Sequence, residues 1–552
     1  MIVNADDISL DFFKSVDVCI VGAGAAGITL ALALSSSGLR IVLLESGGEE
    51  ADSATQALYE GEVANPALHP PPDRYRVRQF GGSTTLWGGR CMPLDPVDFE
   101  ARPWIAPEGW PIGYEDLLAY YPEANRLCEA GAFAYRAGEA FPEGMKPLLP
   151  GFRSADFEDD HLERFSRPTN FARAYGQHLA DSAGIQVVTG ANVTELLCAE
   201  DESIIESAAV ATLRGRRFTV TARRFVLATG GLEVPRLLLA SRSRHAAGIG
   251  NRHDQVGRYY MSHVAGTIGE LEIALPAGAV WHGYQRDSDG IYCRRRIAMT
   301  GAAQRRLQIG NFIARLHHPD VPDPSHRTGA LSVLFLAQFL IGFEYRSRMM
   351  AGHAQSLGLW LRHIRNVLLD PFGTVGFFWH LLRDRKLASR KFPSVIVKPR
   401  SNRYTLDFHA EQQPNPDSRV TLSGQLDPFG MPKIKVDWRY TSLDIETVRQ
   451  AVAALARDIE ASGIGRLRYD PARIEEAAVR YGAYGGHHIG TARMSADPAR
   501  GVVDADCRVH GTANLHVAGA AVFATSSQAN PTLTIVALAL RLADHLKSGL
   551  AR

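Results

Sequence analysis

The sequence predicts an α/β protein in two parts: a Rossmann-type, doubly wound part drawn from separated stretches of chain, and an α+β part built on an antiparallel sheet. Three observations carry this. The stretch "VDVCIVGAGAAGITLALALSSSGLRIVLLE", residues 16–45, runs in order through strand, glycines, helix, strand and acid. Far downstream, "FVLATGGLEVPRLLLAS" (225–241) and "NLHVAGAAVFATSSQANPTLTIVALALRLADHL" (514–546) pass again from an apolar strand through small residues into a helix. Between them, "NPDSRVTLSGQLDPFGMPKIKVDW" (415–438) alternates short β-rich runs with Asp, Pro and Gly turns, the pattern of an antiparallel meander.

Each element has a local reason. Val16 to Val21 is an apolar β-rich run, and Gly22, Gly24 and Gly27 follow it in GxGxxG spacing. Glycines there permit a tight turn, let the backbone approach a pyrophosphate, and let the next helix, Ala25 to Ser36, pack closely with its N-terminus toward the phosphates. A second strand, Arg40 to Leu44, ends in Glu45, where a carboxylate can accept hydrogen bonds from a ribose diol. The pattern therefore predicts a dinucleotide site, without choosing between FAD and NAD(P). After Thr441, "SLDIETVRQAVAALARDIEASG" has a serine start, apolar positions at helical spacing and a terminal glycine, which predicts a helix.

Composition narrows the function classes. A chain of 552 residues with 45% hydrophobic content buries a large core and exceeds one compact domain. Lys plus Arg (60) nearly balances Asp plus Glu (59), so nothing global favours nucleic acid or an acidic partner, and a neutral small molecule fits better. Six cysteines are scattered without CxxC or His-paired spacing, which predicts free thiols and no metal site. The first residues carry three aspartates and no apolar run, so the expected location is cytoplasmic.

Two further stretches, "QFGGSTTLWGGRCMPLDPVDF" (79–99) and "GAYGGHHIGTARM" (482–494), complete a resemblance. Together with the strand-to-helix segments above, they make the chain similar to the glucose-methanol-choline (GMC) oxidoreductases, a family of FAD enzymes. The likeness covers most of the chain outside about residues 270–400. Its C-terminal motifs are nearest to pyranose 2-oxidase-like bacterial sugar-oxidising members, because Asn530 in "QANPTLT" stands where many alcohol oxidases of the family carry a second histidine.

The resemblance implies roles residue by residue. The catalytic histidine of H-x-x-G-T falls on His487, with His488 as its neighbour. In an extended segment the two side chains point to opposite sides, so one of them faces the flavin; His488, or a purely structural pair, stays open. Asn530 is implied as the group that holds the substrate oxygen, and it can equally be an Asn-Pro turn capping the helix that starts near Pro531 and Thr532. Gly81, Gly82 and Ser83 resemble the loop over the flavin, followed by Trp87 and Gly88. Val193 corresponds to the residue whose backbone meets the adenine. Gly519 and Ala520 resemble the turn near the pyrophosphate, although the usual acid is absent. Leu86 occupies the place of a histidine that bonds covalently to flavin in some members, so FAD is expected to be non-covalent. Arg493 reads as a structural partner for a carboxylate, and Tyr259, His263 and the loop at 69–72 read as packing.

The implied organisation is an FAD-binding domain from 10–265 and 485–552, and a substrate domain at 266–484 with an apolar and basic insertion at about 330–403. The expected activity is FAD-dependent oxidation of an alcohol, a sugar or glycoside secondary hydroxyl, by hydride transfer to flavin N5 with His487 taking the proton. Oxygen or a quinone-like compound is the expected electron acceptor. Oxidation of a non-sugar or lipid-like alcohol, or non-redox lyase chemistry, is the alternative. In the insertion, "ALSVLFLAQFLIGF" (330–343) is shorter than the roughly 20 residues of a bilayer span. The stretch after it mixes apolar residues with Arg383, Arg385, Lys386, Arg390 and Lys391, which suits peripheral contact with a membrane surface, a lid, or an oligomer contact.

Overall fold

The computed structural model describes the chain except residues 10–12, 14, 15, 277, 341–355, 388–392, 394, 395, 484, 485, 551 and 552, and only the backbone of Arg385 and Lys386. A six-stranded parallel sheet forms one part, in the order Ile2–Asn4, Ile185–Thr189, Ile41–Leu44, Val16–Val21, Ala222–Leu227, Leu515–Val517. All five pairings are parallel. The four residues Ile41–Leu44 are all buried, as are five of the six in Val16–Val21, so these strands read as apolar runs because both of their faces are buried in the main core. Neighbours in this sheet come from opposite ends of the chain, which is the discontinuous assembly the sequence predicts.

The helix Ala25–Leu34 links the first two central strands and packs on the C-terminal helix Thr532–Leu550. A Cβ on Gly27 would stand 1.9 Å from the carbonyl oxygen of Gly22, so only glycine lets helix and turn meet.

The second part is an eight-stranded sheet with Gly465–Arg468, Val264–Ile273, Arg403–Ala410, Phe312–His317, Tyr292–Met299, Phe157–Phe165 and Arg90–Cys91 in order, and Gln285–Arg286 alongside. Every pairing in it is antiparallel. Phe157–Phe165 and Arg90–Cys91 are numbered inside 10–265 yet belong to this sheet, so the chain crosses between the two parts before residue 266. The 415–438 meander forms the hairpin Arg419–Leu426 with Pro432–Asp437, and its second strand pairs in parallel with Gly61–Val63 in a separate small sheet. The long helix is Ser442–Ala461, and its cap is Thr441, one residue ahead of the serine, in a reciprocal capping box with Asp444.

Candidate active site

A cavity of about 660 Å³ is lined from both parts, by Gly22 and Ala228 at the ends of parallel strands and by Phe165 and His409 from the antiparallel sheet. Of the expected cofactor residues, Gly22, Gly24, Glu45, Gly82, Ser83, Val193, Gly519, Ala520, Asn530, Pro531 and Thr532 are on its wall. Gly27 and Gly81 pack behind it: a Cβ on Gly81 would meet the Ala172 side chain at 3.0 Å.

The wall fits an extended phosphate-bearing cofactor. Gly24 and Gly519 line the cavity, and no heavy atom lies within 4 Å of where a Cβ would stand on either, so any side chain there would fill the cavity itself. Gly24 is also the residue immediately before the helix Ala25–Leu34, whose unpaired N–H groups and positive dipole end favour a phosphate. Glu45 accepts hydrogen bonds from the N–H groups of Ala23 and Gly47, both at 2.8 Å, which pins its carboxylate at the wall with lone pairs left for a ribose. Burial pushes its pKa up, opposed by those two backbone donors. Arg78, to which no motif in the sequence points, lines the same region, donates to Ser46 Oγ at 2.8 Å and pairs with Glu233 at 2.8 Å. Leu86 lines the cavity as well and offers no nucleophile to a flavin.

The paired histidines face different neighbours. His488 Nδ1 lies 2.7 Å from the Tyr260 hydroxyl, which is itself 2.8 Å from His69 Nε2. His487 Nδ1 lies 2.7 Å from His263 Nδ1, and its Nε2 lies 3.1 Å from Asn530 Nδ2. His263 was expected to be packing; it is instead a hydrogen-bonding neighbour of the histidine expected to be the base. No local signal in "YYMSHVAG" could have indicated this, since the contact joins residues far apart in sequence.

One assignment of protons satisfies these contacts. His263 Nε2 lies 3.2 Å from the Ser526 carbonyl, which only accepts, so the proton of a neutral His263 is on Nε2 and its Nδ1 is an acceptor. Burial pushes the His263 pKa down to about 4, which keeps it neutral near pH 7. His487 must then donate from Nδ1, which leaves its Nε2 lone pair toward Asn530, whose amide N–H₂ donates to it. Burial first, then the neighbouring His263 and Arg90, hold the His487 pKa well below the usual histidine range. The arrangement is a neutral imidazole with its basic nitrogen on the cavity side.

Other expected pieces are placed nearby. Asn530, Pro531 and Thr532 line the cavity at the start of the C-terminal helix, whose dipole favours negative charge there. Arg493 lies over the Tyr259 ring at 4.1 Å and approaches Glu108 at 3.7 Å, a structural carboxylate partner. All six cysteines are buried and none is in a disulfide. Glu158, Asp160 and His161 approach one another at the surface, where Arg136 pairs with both carboxylates at 2.5 and 2.8 Å and offsets part of their charge.

Residues 17–335 match a family model described as FAD dependent oxidoreductase, and residues 414–539 match one described as GMC oxidoreductase. The 6'''-hydroxyparomomycin C oxidase of Streptomyces lividus is 24% identical over 97% of this chain and 92% of its own. A C-glycoside 3-oxidase of Microbacterium trichothecenolyticum is 35% identical over 130 residues, covering 23% of this chain and 24% of its own. The solved structure of a fungal aryl-alcohol oxidase superposes with a TM-score of 0.54 at 15% identity, covering 97% of this chain and 99% of that one.

Proposed function

We propose, for a chain that belongs to the FAD-dependent oxidoreductases and carries their GMC-type C-terminal domain, that it oxidises a secondary hydroxyl of a sugar or glycoside with His487 as the base. FAD, when bound, supplies the hydride acceptor. The observation that carries the reading is the proton arrangement of His487, whose Nε2 lone pair is on the cavity side, 3.1 Å from Asn530 Nδ2. An alcohol that takes the place of the Asn530 N–H at Nε2 donates its hydroxyl proton to that lone pair and accepts from the displaced Asn530 amide through its oxygen. Taking that proton makes the carbinol carbon a better hydride donor, and a positioned base contributes about 10²–10⁴-fold. Asn530 cannot take a proton; it holds the oxygen beside the imidazole.

The sugar or glycoside class is supported by the name of the C-glycoside 3-oxidase relative and by Asn530 in the place of a second histidine. Leu86 supports non-covalent FAD, and six thiols outside any disulfide support a cytoplasmic setting. Oxygen or a quinone-like compound takes the electrons, and the 330–403 insertion makes a peripheral contact with a membrane. No described helix is long and apolar enough to cross one.

The test is an anaerobic screen of sugars, glycosides and simple alcohols against flavin absorbance, followed by admission of air. Bleaching by sugars or glycosides ahead of simple alcohols is expected, and return of colour in air identifies an oxidase. A flavin that no alcohol bleaches would overturn the reading in favour of lyase chemistry.

A further inference from the structure

The insertion has a small apolar core that includes Leu331, Phe335 and Leu359, and it also turns a second apolar face outward. Along Leu357–Leu369, Leu357, Leu361, Ile364 and Leu368 share one helical face and all are exposed, whereas the buried side includes His363 and Asn366. His363 bonds Ser332 Oγ at 3.0 Å and the Pro322 carbonyl at 3.2 Å, and Asn366 donates to the Pro324 carbonyl at 2.8 Å. The next helix, Pro371–Leu381, buries only Thr374 among its residues and exposes Phe372 (91%), Val375 and Trp379 (60%). Of the eighteen large apolar side chains exposed among the described residues, thirteen lie between 339 and 387. A soluble surface does not concentrate apolar area in this way unless something covers it.

Charge selects the cover. Residues 327–403 hold thirteen Lys and Arg against three Asp and Glu, a net +10 in a chain whose total is +1. Arg362 and Arg365 are exposed on the same helix as Leu361 and Leu368, and Arg383 is 62% exposed just beyond Leu382. A second copy of the chain would set Arg362, Arg365 and Arg383 against like charges, whereas anionic headgroups neutralise them while the apolar face enters the acyl boundary. The expected stretch 383–391 contributes in part, since Arg390 and Lys391 lie outside the described residues. Where the chain returns from the insertion, Pro393 lines the cavity, and Ile396 packs on Phe165 and Tyr284, which line it too. The segment leaving the apolar helices is therefore part of the wall of the active-site cavity.

We infer that the described helices between 329 and 387 form a docking platform for an anionic lipid bilayer, beside the cavity that takes the alcohol. This rests on the peripheral contact in the function proposed above and gives it a face, a lipid charge and an orientation. The test uses the FAD-loaded full chain in flotation with vesicles of phosphatidylglycerol and phosphatidylcholine, against vesicles of phosphatidylcholine alone. Wild type is expected to float with the anionic vesicles at low salt, to be largely released by 0.5 M salt, about five times the ionic strength at which the Debye length is about 10 Å, and to show a blue-shifted tryptophan emission when bound. Arg362→Gln/Arg365→Gln/Arg383→Gln and Leu368→Ser/Phe372→Ser/Trp379→Ser should each lower the floated fraction at least fivefold, with flavin content unchanged as the sign of a correct fold. Wild type that stays wholly in the soluble fraction at low salt overturns the proposal. So does light scattering that shows a dimer which the Leu368→Ser/Phe372→Ser/Trp379→Ser variant turns into a monomer, since a second copy then covers the face. Flotation without flavin bleaching by any alcohol would refute the oxidation alone, and bleaching without flotation would refute the docking alone.

Discussion

Replacing His263 by phenylalanine keeps an aromatic ring of similar size and removes the acceptor for His487 Nδ1–H, now 2.7 Å away. His263 is fully buried and is not on the cavity wall, so the change touches the base without touching the alcohol. In the variant, the active tautomer of His487 carries a buried N–H without a partner, at a cost of about 1–3 kcal/mol. The other tautomer avoids that cost by placing its proton on Nε2, where the lone pair is needed. At 1.4 kcal/mol per tenfold, the active fraction falls by about 5- to 150-fold. The assay is anaerobic stopped-flow reduction of the flavin by the alcohol that bleaches wild type fastest. The limiting rate should fall within that range while the substrate concentration at half-maximal rate changes less than about threefold, because a positioning residue alters the base and not the binding. His263→Gln, whose amide oxygen can accept from Nδ1–H, should recover most of the rate. A His263→Phe enzyme with full flavin content and a rate within twofold of wild type would refute the tautomer argument, as would a glutamine variant as slow as the phenylalanine one.

Removing the base itself is more severe: His487→Ala should retain FAD and lose about 10²–10⁴-fold in flavin reduction, with His488→Ala far milder; the reverse order in stopped-flow would identify the wrong imidazole. Acid or heat precipitation should release free FAD into the supernatant, because Leu86 has no nucleophile, and yellow pellets would contradict this. Acid should destabilise the fold from pH 6.5 downward. Burial pushes His69, His263 and His326 to about 4 and His282 and His516 to about 3, so below pH 6.5 the unfolded chain binds more protons and stability falls with pH. Asp98 and Asp444, pushed up to about 7 by burial, act in the opposite sense, but two carboxyls are outnumbered by five imidazoles. Urea midpoints at pH 7.5, 6 and 5 should decrease in that order, and equal midpoints would refute the neutral burial of these rings.

The nucleotide-binding half was legible because its requirements are local. A turn that passes Gly22 at φ +102° and brings Gly27 against the Gly22 carbonyl excludes side chains at those positions, and the apolar strand before it and the acid after it complete a pattern within thirty residues. The same holds for the helix Ser442–Ala461, where capping and apolar spacing are written in consecutive residues. The His487 site was legible only as far as its family motif, since which nitrogen carries the proton depends on His263 and the Ser526 carbonyl, neighbours brought in by different parts of the chain. Sheet membership was similarly hidden: Phe157–Phe165 carries three acidic residues in a row directly after Phe157, yet it pairs inside the antiparallel sheet with Tyr292–Met299. For residues 357–381 the sequence shows apolar and basic side chains at helical spacing, which fits a helix turned either way. Only the tertiary structure turns His363 and Asn366 inward beside Leu359 and turns Leu357, Leu361 and Leu368 outward, and the inward polar pair reaches the carbonyls of Pro322 and Pro324, which no leucine could hydrogen-bond.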